Sequence, residues 1–241
     1  MKLSLIIPAY NEENYLGHCL YNASLELAVD KYSDQFEIIV VDNASSDRTA
    51  QIAAEFRAVR VVHEERKGLT FARQKGFEAA RGEIVAYIDA DTHMPAGWLS
   101  RVLAAYERSE RLVCISGPYH YYDLPMIQRL LVWLYWNLLA RPVYWMTGYM
   151  AVGGNFAARR DALEKIGGFD TSISFYGEDT NIARRLSKQG KVYFDMRLVM
   201  ATSARRLIEE GLMATGMKYV VNFFSEVIRK KPVPLDYHDI R

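Results

Sequence analysis

Two aspartates, Asp89 and Asp91, stand one residue apart directly after the apolar run 84–88. If the strand breaks its alternation there, both carboxylates point to one place, and such oxygens suit a hard cation, Mg²⁺ or Mn²⁺. The ion would neutralise charge that develops on a diphosphate leaving group. Aspartates in loops also cap helices, and Asp91 is placed to do so. The pair therefore predicts either a metal site or a capped turn.

Two other polar clusters follow apolar runs of strand length. The residues Pro-Ala-Tyr-Asn-Glu at 8–12 follow the first run, and Asp42 opens the loop after the second. Ligands of open parallel sheets bind beyond the carboxyl ends of the strands, so these clusters should share one edge. Asp42 is suited to accept hydrogen bonds from a base or a ribose. Ser46 and Asp47 favour a turn and a helix N-cap.

Local positive charge comes from Arg66, Lys67 and Arg73. Guanidinium and ammonium groups of this kind bind diphosphates. The same residues also suit the solvated start of a helix. Both interpretations stay open on the sequence alone.

The elements that must position these residues follow a βαβ rhythm. Continuous Ile/Val runs such as 38–41 are typical of strands covered on both faces by crossover helices. The first half is therefore predicted to be a doubly wound α/β unit. The predicted strands are 3–8, 36–41, 59–63 and 84–88, and the predicted helices are 13–28, 49–56, 70–80, 95–110 and one long helix from 205 onward.

Composition and charge argue against several classes of protein. The chain has 241 residues, half of them hydrophobic, with 30 Lys+Arg against 29 Asp+Glu. A net charge of +1 gives little support to nucleic-acid binding. Cys19 and Cys114 are too far apart in sequence to build a disulfide framework or a zinc site, which favours a reduced, cytoplasmic setting. The N-terminal apolar run is too short for a secretory signal.

Six motifs in order resemble those of family 2 glycosyltransferases. The resemblance runs over roughly residues 3–200 and implies a GT-A fold with a mostly parallel, doubly wound sheet. It implies one domain with a nucleotide-sugar-binding half at about 1–115, an acceptor half at about 116–204, and a C-terminal helix and tail at 205–241. The motifs are residues 8–12, 41–47, 66–73 and 89–91, Gly153-Gly-Asn155 and Gly177-Glu-Asp179.

The resemblance also implies an activity. One sugar would move, with inversion, from a UDP- or GDP-sugar to a hydroxyl of a saccharide or lipid-linked acceptor, assisted by Mn²⁺ or Mg²⁺. Asp179, beside Glu178, would be the general base, because an attacking hydroxyl must lose its proton. Both acids also suit a helix N-terminus. Asp91 would bind the metal, and Asp89 would reach the metal, the ribose or the diphosphate.

The other residues carried over by the resemblance line the nucleotide sugar. Asn155 has an equal alternative as a structural turn, and the two glycines before it would allow close approach to the sugar. The predicted set is Pro8, Tyr10, Glu12, Asp42, Arg66, Arg73, Asp89 and Asn155, together with Arg205 and Arg206.

Two departures from the family pattern concern the metal and processivity. Many relatives carry a metal-binding histidine after the last strand, but residues 201–206 contain none. Arg205 and Arg206 in that segment could instead neutralise part of the diphosphate charge. The Gln-x-x-Arg-Trp signature of processive synthases is also absent, which predicts a single transfer per acceptor.

The apolar segment 125–150 has two interpretations. A transmembrane helix needs about 20 apolar residues, and Arg141-Pro142 interrupts this run. Tryptophans flanked by arginines are compatible with a helix lying on the cytoplasmic face of a membrane, near a lipid-linked acceptor. A buried helix, or the lining of an acceptor pocket, is the favoured alternative.

Three rival functions remain at this stage. They are a nucleotide-sugar-binding module that has lost catalysis, a membrane-surface adaptor, and an enzyme similar to sugar nucleotidyltransferases. The last usually has a Gly-rich basic loop after the first strand, whereas this chain has Tyr10-Asn11-Glu12 there.

Overall fold

A computed structural model describes residues 1–29, 35–173, 175–230 and 233. The seven strands of the main sheet are β1 Leu3–Ala9, β2 Phe36–Asp42, β3 Val59–His63, β4 Ile84–Ile88, β6 Leu112–Ser116, β8 Asn155–Arg159 and β9 Lys191–Phe194. Their order across the sheet is β3-β2-β1-β4-β8-β6-β9. β8 runs antiparallel to β4 and β6, and the other neighbours pair in parallel.

A second, three-stranded sheet lies over the carboxyl edge of this main sheet, where the chain continues from β4. Its strands are β5 Thr92–His93, β7 Tyr119–Tyr121 and β10 Met200–Thr202. β10 lies in the middle, antiparallel to β5 and parallel to β7. The small sheet therefore connects the aspartate loop after β4 to the tyrosine-rich strand β7 and to the segment that follows β10.

Helices cover both faces of the main sheet. They are α1 Leu16–Val29, α2 Thr49–Ala54, α3 Leu69–Ala79, α4 Trp98–Arg108, α5 Met126–Leu134, α6 Arg141–Thr147, α7 Arg160–Lys165, α8 Glu178–Leu186, α9 Arg205–Glu209 and α10 Leu212–Arg229.

The main sheet has a hydrophobic core on each face. One face packs against α1, α2 and α4, and the other against α3, α7 and α8. Alternate residues of β1 show the reason: Leu5 and Ile7 belong to one core and Ile6 to the other. The predicted doubly wound, mostly parallel sheet is confirmed.

The prediction of one long helix from residue 205 onward is wrong. The chain forms α9 and α10, which are separated at Gly211, where φ is +84°. A positive φ cannot continue a right-handed helix, and glycine adopts it without a steric penalty. The tail after residue 230, apart from residue 233, lies outside the described residues.

The apolar segment forms a continuous helical stretch rather than two pieces. A π-helical turn, Tyr135–Ala140, joins α5 directly to α6. Arg141-Pro142 is predicted to interrupt the apolar run, but Pro142 lies at the start of α6 and the helix continues through it. The reason is that proline lacks an N–H, and the wider π turn before it provides one of the usual ways in which a helix accommodates such a residue.

The interpretation of this segment as a buried helix is also wrong. Neither α5 nor α6 contains a buried residue. Large apolar side chains instead face outward, with Met126 85%, Trp133 59%, Leu138 64% and Trp145 65% exposed. Across the described residues, no helix is both long enough and apolar enough to span a bilayer. We call residues 126–147 the apolar helix stretch.

Candidate active site

The carboxyl edge of the sheet gathers the predicted donor-side residues. In register, Ala9 at the end of β1 lies opposite Asp42, which lies opposite His63 at the end of β3. The Asp42 carboxylate is buried, and its Oδ2 lies 3.0 Å from His63 Nδ1. Pro8 is buried within β1, and Tyr10 is half-buried just beyond it. These residues lie together at the carboxyl edge of the sheet, as the strand-end rule predicts.

The basic loop after β3 is held by a side chain that sequence reasoning did not single out. Asn43 donates from Nδ2 to the Glu64 and Arg66 carbonyl oxygens, at 3.0 and 2.7 Å, and accepts from the Gly68 N–H at 2.8 Å. The exposed Arg66 guanidinium pairs with Glu64 at 2.8 Å. Lys67 Nζ lies 3.0 Å from the Tyr10 hydroxyl. The loop therefore brings Lys67 beside Tyr10, while Glu64 balances the charge of Arg66.

The turn after β2 forms as predicted, but the N-cap of α2 is Arg48 rather than Ser46 or Asp47. Asp47 Oδ1 accepts from the backbone N–H of Thr49, the first residue of α2, at 2.9 Å. Its Oδ2 accepts from the Glu13 N–H at 3.0 Å. Ser46 donates its N–H to the Asn11 side chain at 2.8 Å. Ser46 and Asp47 therefore fasten the loop after β1 to the loop after β2, and their polar groups face the protein.

Asp91 lies in a buried charge cluster with residues from distant parts of the chain. The Arg205 Nη2 atom lies 3.0 Å from Asp91 Oδ2 and donates to Glu12 Oε1 at 2.5 Å. Thr202 donates its hydroxyl to Asp91 Oδ1 at 3.2 Å. Burial raises the pKa of Asp91 to about 7, against the lowering effect of Arg205. Arg205 therefore neutralises carboxylates of the site, and its contact with a diphosphate stays a prediction.

The residues around Asp91 fit a divalent cation that is shared with a ligand. Across the described ranges, no group of three or more His, Cys, Asp or Glu side chains converges to form a complete metal site. Mg²⁺-type sites commonly use only one or two carboxylates and complete their shell with water and substrate phosphates. Asp91 supplies one such carboxylate, and Asp89, two residues earlier in the chain, has a partly exposed carboxylate. A cation at Asp91 Oδ2 would compete with the Arg205 guanidinium for that oxygen.

Arg73, from the middle of α3, lies at the centre of the site. Its side chain is 2% exposed, with Nη1 3.1 Å from Glu178 Oε1 and Nη2 3.5 Å from Asp89 Oδ1. A buried guanidinium needs such carboxylates, because an unpaired buried charge is costly. Arg73 therefore joins the donor-side aspartate after β4 to the acidic pair that begins α8. The interpretation of Arg73 as a solvated helix residue does not hold.

Gly153 and Gly154 are required by these side chains. A Cβ at Gly153 would crowd the Arg73 guanidinium, and one at Gly154 would overlap the Asp89 carboxylate and the Tyr119 hydroxyl. The sequence predicts that these two glycines let the backbone approach a sugar. In the structure, the glycine backbone instead lies close to the Arg73, Asp89 and Tyr119 side chains, which leave no space for a larger residue.

The Glu178-Asp179 pair opens α8. Gly177, at φ +93°, precedes the helix, and Asp179 Oδ1 accepts from the Thr180 N–H at 2.7 Å. Burial, followed by the charge of Glu178, raises the pKa of Asp179 to about 7. The charge of Asp179 in turn contributes, after burial, to raised pKa values of Tyr135 and Tyr219. A buried carboxyl group with a pKa raised in this way can take a proton near neutral pH.

Asn155 and Arg206, two of the predicted ligand-binding residues, contact other parts of the protein. Asn155 is fully buried: its side chain accepts from Trp98 Nε1 at 2.9 Å and donates to the Pro118 and Leu198 carbonyl oxygens. This is the structural alternative rather than a sugar contact. Arg206 turns away from Asp91 and pairs with Glu210 at 2.9 Å.

Several residues of the site were not predicted, namely His63, Tyr119, Tyr135, Thr202 and Tyr219. His63 ends a predicted strand, so the strand-end rule could have found it. The others belong to the second half, where their contacts depend on the pairing of β7 with β10 and on the path of α10.

The comparisons with known proteins agree with this architecture. Mannosyltransferase PcManGT from Pyrobaculum calidifontis, solved in complex with GDP-Man and Mn²⁺, matches with a TM-score of 0.73 and 22% identity, over 97% of this chain and 66% of that one. This likeness shows the fold, which is of the GT-A type.

The family follows from the sequence match. The model of the family described as "Glycosyl transferase family 2" matches residues 4–167, more than half of the chain. The chain belongs to glycosyl transferase family 2, as its motifs predict.

Two curated relatives illustrate the range of the family. Glycosyltransferase AglE of Haloferax volcanii is 36% identical over 104 residues, which are 41% of this chain and 33% of the relative. Undecaprenyl-phosphate 4-deoxy-4-formamido-L-arabinose transferase of Edwardsiella ictaluri is 32% identical over 117 residues, 46% of this chain and 35% of the relative. The matched part thus spans about a third of each relative.

Proposed function

We propose that this chain transfers one sugar, with inversion, from a UDP- or GDP-linked donor to an acceptor hydroxyl. The observation that carries the proposal is the buried Arg73, which bridges Asp89 on the donor side and Glu178 beside Asp179. The Arg73 guanidinium thereby fixes the distance between the donor-side Asp89, suited to a nucleoside diphosphate, and the acidic pair whose Asp179 is suited to act as the base. Residues 1–115 would hold the donor, and residues 116–204 the acceptor.

In the proposed reaction, Asp179 removes the proton from the acceptor hydroxyl as its oxygen attacks the anomeric carbon. The bond from that carbon to the diphosphate oxygen breaks on the opposite face, so the configuration inverts. Asp42 and Tyr10 would bind the nucleoside, and Arg205 would partly neutralise the diphosphate. The raised pKa of Asp179 supports the base role, because a base works best near the pH of operation.

Asp91 and Asp89 are the residues that would hold Mn²⁺ or Mg²⁺. When bound, the ion would neutralise charge on the departing diphosphate. The Mn²⁺ in the PcManGT complex supports a divalent cation in this fold. Arg205, which lies between Glu12 and Asp91, would supply a further positive charge for the phosphates of the nucleotide.

Calorimetric titration with UDP and with GDP, each with and without Mn²⁺, tests the proposal. We expect one nucleotide to bind in a Mn²⁺-dependent manner. Asp91→Ala should weaken that binding at least about 10-fold, since even groups behind metal ligands contribute about 10–100-fold to metal affinity. Asp161→Ala, a change at an exposed aspartate of α7, is the control. Absence of binding by the wild type, or an unaltered Mn²⁺-linked affinity in Asp91→Ala, would refute it.

We also infer that the apolar helix stretch lies on the cytoplasmic face of a membrane, where a lipid-linked acceptor would be found. Residues 125–150 contain two arginines and no lysine or acidic residue, a pattern suited to an anionic lipid surface. The Arg141 guanidinium lies over the exposed Trp145 ring, 4.8 Å from its centroid. The name of the undecaprenyl-phosphate transferase among the relatives supports an acceptor of this class.

Sedimentation with vesicles containing phosphatidylglycerol measures this contact. The variant Trp133→Ser/Trp145→Ser should lower vesicle binding at least about 10-fold, because each apolar side chain buried contributes roughly 1.5–3 kcal/mol. Tyr21→Ser/Leu25→Ser removes two exposed apolar side chains of α1 and should leave binding unchanged. Equal loss in both double variants would mean that the stretch is not the contact surface.

A further inference from the structure

The apolar helix stretch has an inner side that reaches the site. Val132 packs against Leu124, Ala204 and Leu207, next to the start of α9. One turn later, Trp136 donates its indole N–H to the Tyr119 carbonyl oxygen at 3.1 Å and stacks on Phe194. The helix that carries the exposed apolar side chains therefore also packs against strand β7 through its inner side.

Tyr119 connects this inner side of the helix to the donor-side carboxylate. Its hydroxyl donates to Asp89 Oδ2 at 2.7 Å, while Asp89 Oδ1 faces Arg73. The Gly154 backbone closes the third side, since a Cβ there would overlap both groups.

The carboxylate of Asp89 therefore has one oxygen oriented by a hydroxyl and the other by a guanidinium. Its side chain is 35% exposed, so that without the hydroxyl it would have room to rotate toward solvent. Tyr119 itself is held from behind, because Trp136 fixes its backbone carbonyl and the Tyr121 ring lies 6.0 Å away, edge to face.

We propose that Tyr119 is a positioning residue that orients Asp89 for the donor, and that the indole N–H of Trp136 acts on the donor site through Tyr119. The proposal rests on the proposed function, because it assigns Asp89 to the donor. It makes the inner side of the apolar helix stretch part of the donor site, although no residue of that stretch contacts Asp89 in the described hydrogen bonds.

Two substitutions that remove single hydrogen-bond donors test it. Tyr119→Phe keeps the ring, and we expect it to weaken Mn²⁺-dependent binding of UDP or GDP about 10-fold, the size expected for a hydrogen bond to a charged group. Trp136→Phe keeps an aromatic ring on Phe194 and should weaken binding about threefold. In steady-state transfer, the donor KM should rise in both variants while the acceptor KM stays constant.

The decisive measurement is the double variant. If Trp136 acts through Tyr119, Tyr119→Phe/Trp136→Phe should bind the nucleotide as Tyr119→Phe does, because the second change has nothing left to act on. Tyr144→Phe is the matched control: it removes one hydroxyl from the same apolar cluster, where it donates to the Val192 carbonyl at 3.2 Å, and should leave nucleotide affinity unchanged.

Each outcome has a defined meaning. A wild-type chain that binds neither nucleotide overturns the proposed function and this inference together. A wild type that binds, with Tyr119→Phe of equal affinity, overturns this inference alone, and so does a double variant whose losses multiply. Thermal melting of each variant accompanies the titration. Should Tyr119→Phe melt well below the wild type, Trp136→Phe decides alone: equal nucleotide affinity at wild-type melting temperature overturns the inference.

Discussion

Replacing Asp179 with asparagine is expected to lower the rate of sugar transfer by about 100 to 10,000-fold, the contribution of a positioned general base. Asparagine keeps the shape of the side chain and cannot accept a proton at neutral pH. Nucleotide affinity should stay within a few fold, because the donor contacts lie on the other side of Arg73. Turnover measured at saturating donor separates the two effects.

Two checks accompany this variant. Asp161→Asn changes an exposed aspartate of α7 and should leave turnover unaltered. In the wild type, kcat should fall as the pH drops below about 7, because the Asp179 carboxyl, whose pKa burial and Glu178 raise to about 7, becomes protonated and can no longer take the proton. Above that pH the rate should level off. Near-normal turnover in Asp179→Asn would remove the base assignment.

Arg73→Met should lower the free energy of unfolding by about 3–5 kcal/mol, the usual cost of removing one partner of a buried ion pair. Methionine fills much of the volume but leaves the buried Glu178 carboxylate without its cation. Urea unfolding monitored by circular dichroism measures the loss. Sugar transfer should fall as well, because Glu178 and Asp89 lose the group that fixes their separation.

The matched control for stability is Arg48→Met, which removes an arginine that is 73% exposed beside Glu13 and should cost within about 1 kcal/mol. Adding Glu178→Gln to Arg73→Met should restore about 1 kcal/mol or more, since the unpaired buried charge is gone. If Arg73→Met were no more destabilising than Arg48→Met, the bridging role of Arg73 would be wrong.

The sequence predicts the donor side of the molecule well. The strands that position Asp42 and Asp89 are continuous apolar runs followed at once by polar residues. Such runs can be recognised from neighbouring residues alone, and parallel strands bring their carboxyl ends to one edge of the sheet. For that reason the predicted sheet and the turn at Asp47 both have counterparts in the structure. Arg73 and Glu178 are each predicted to be site residues, but their pairing across 105 positions is not predicted.

The second half could not be predicted to the same depth, because its features depend on tertiary contacts. The break at Gly211 lies inside an apolar periodic stretch that reads as one helix. Pro142 favours an interruption, yet a π turn lets the helix continue. Whether Trp133 and Trp136 face solvent or protein depends on what packs beside them, and the structure sends them to opposite sides.

The antiparallel strand β8 has a mechanical consequence. It lies between β4 and β6 and pairs with both, with Phe156 opposite Tyr87 on one side and Ser116 on the other. The part of the chain that carries the donor-side residues and the part that carries the acidic pair are therefore tied into one hydrogen-bonded ladder. A hinge that separates them as rigid bodies would leave buried backbone groups unpaired. The motions that admit substrates and release products must belong to segments outside the sheet.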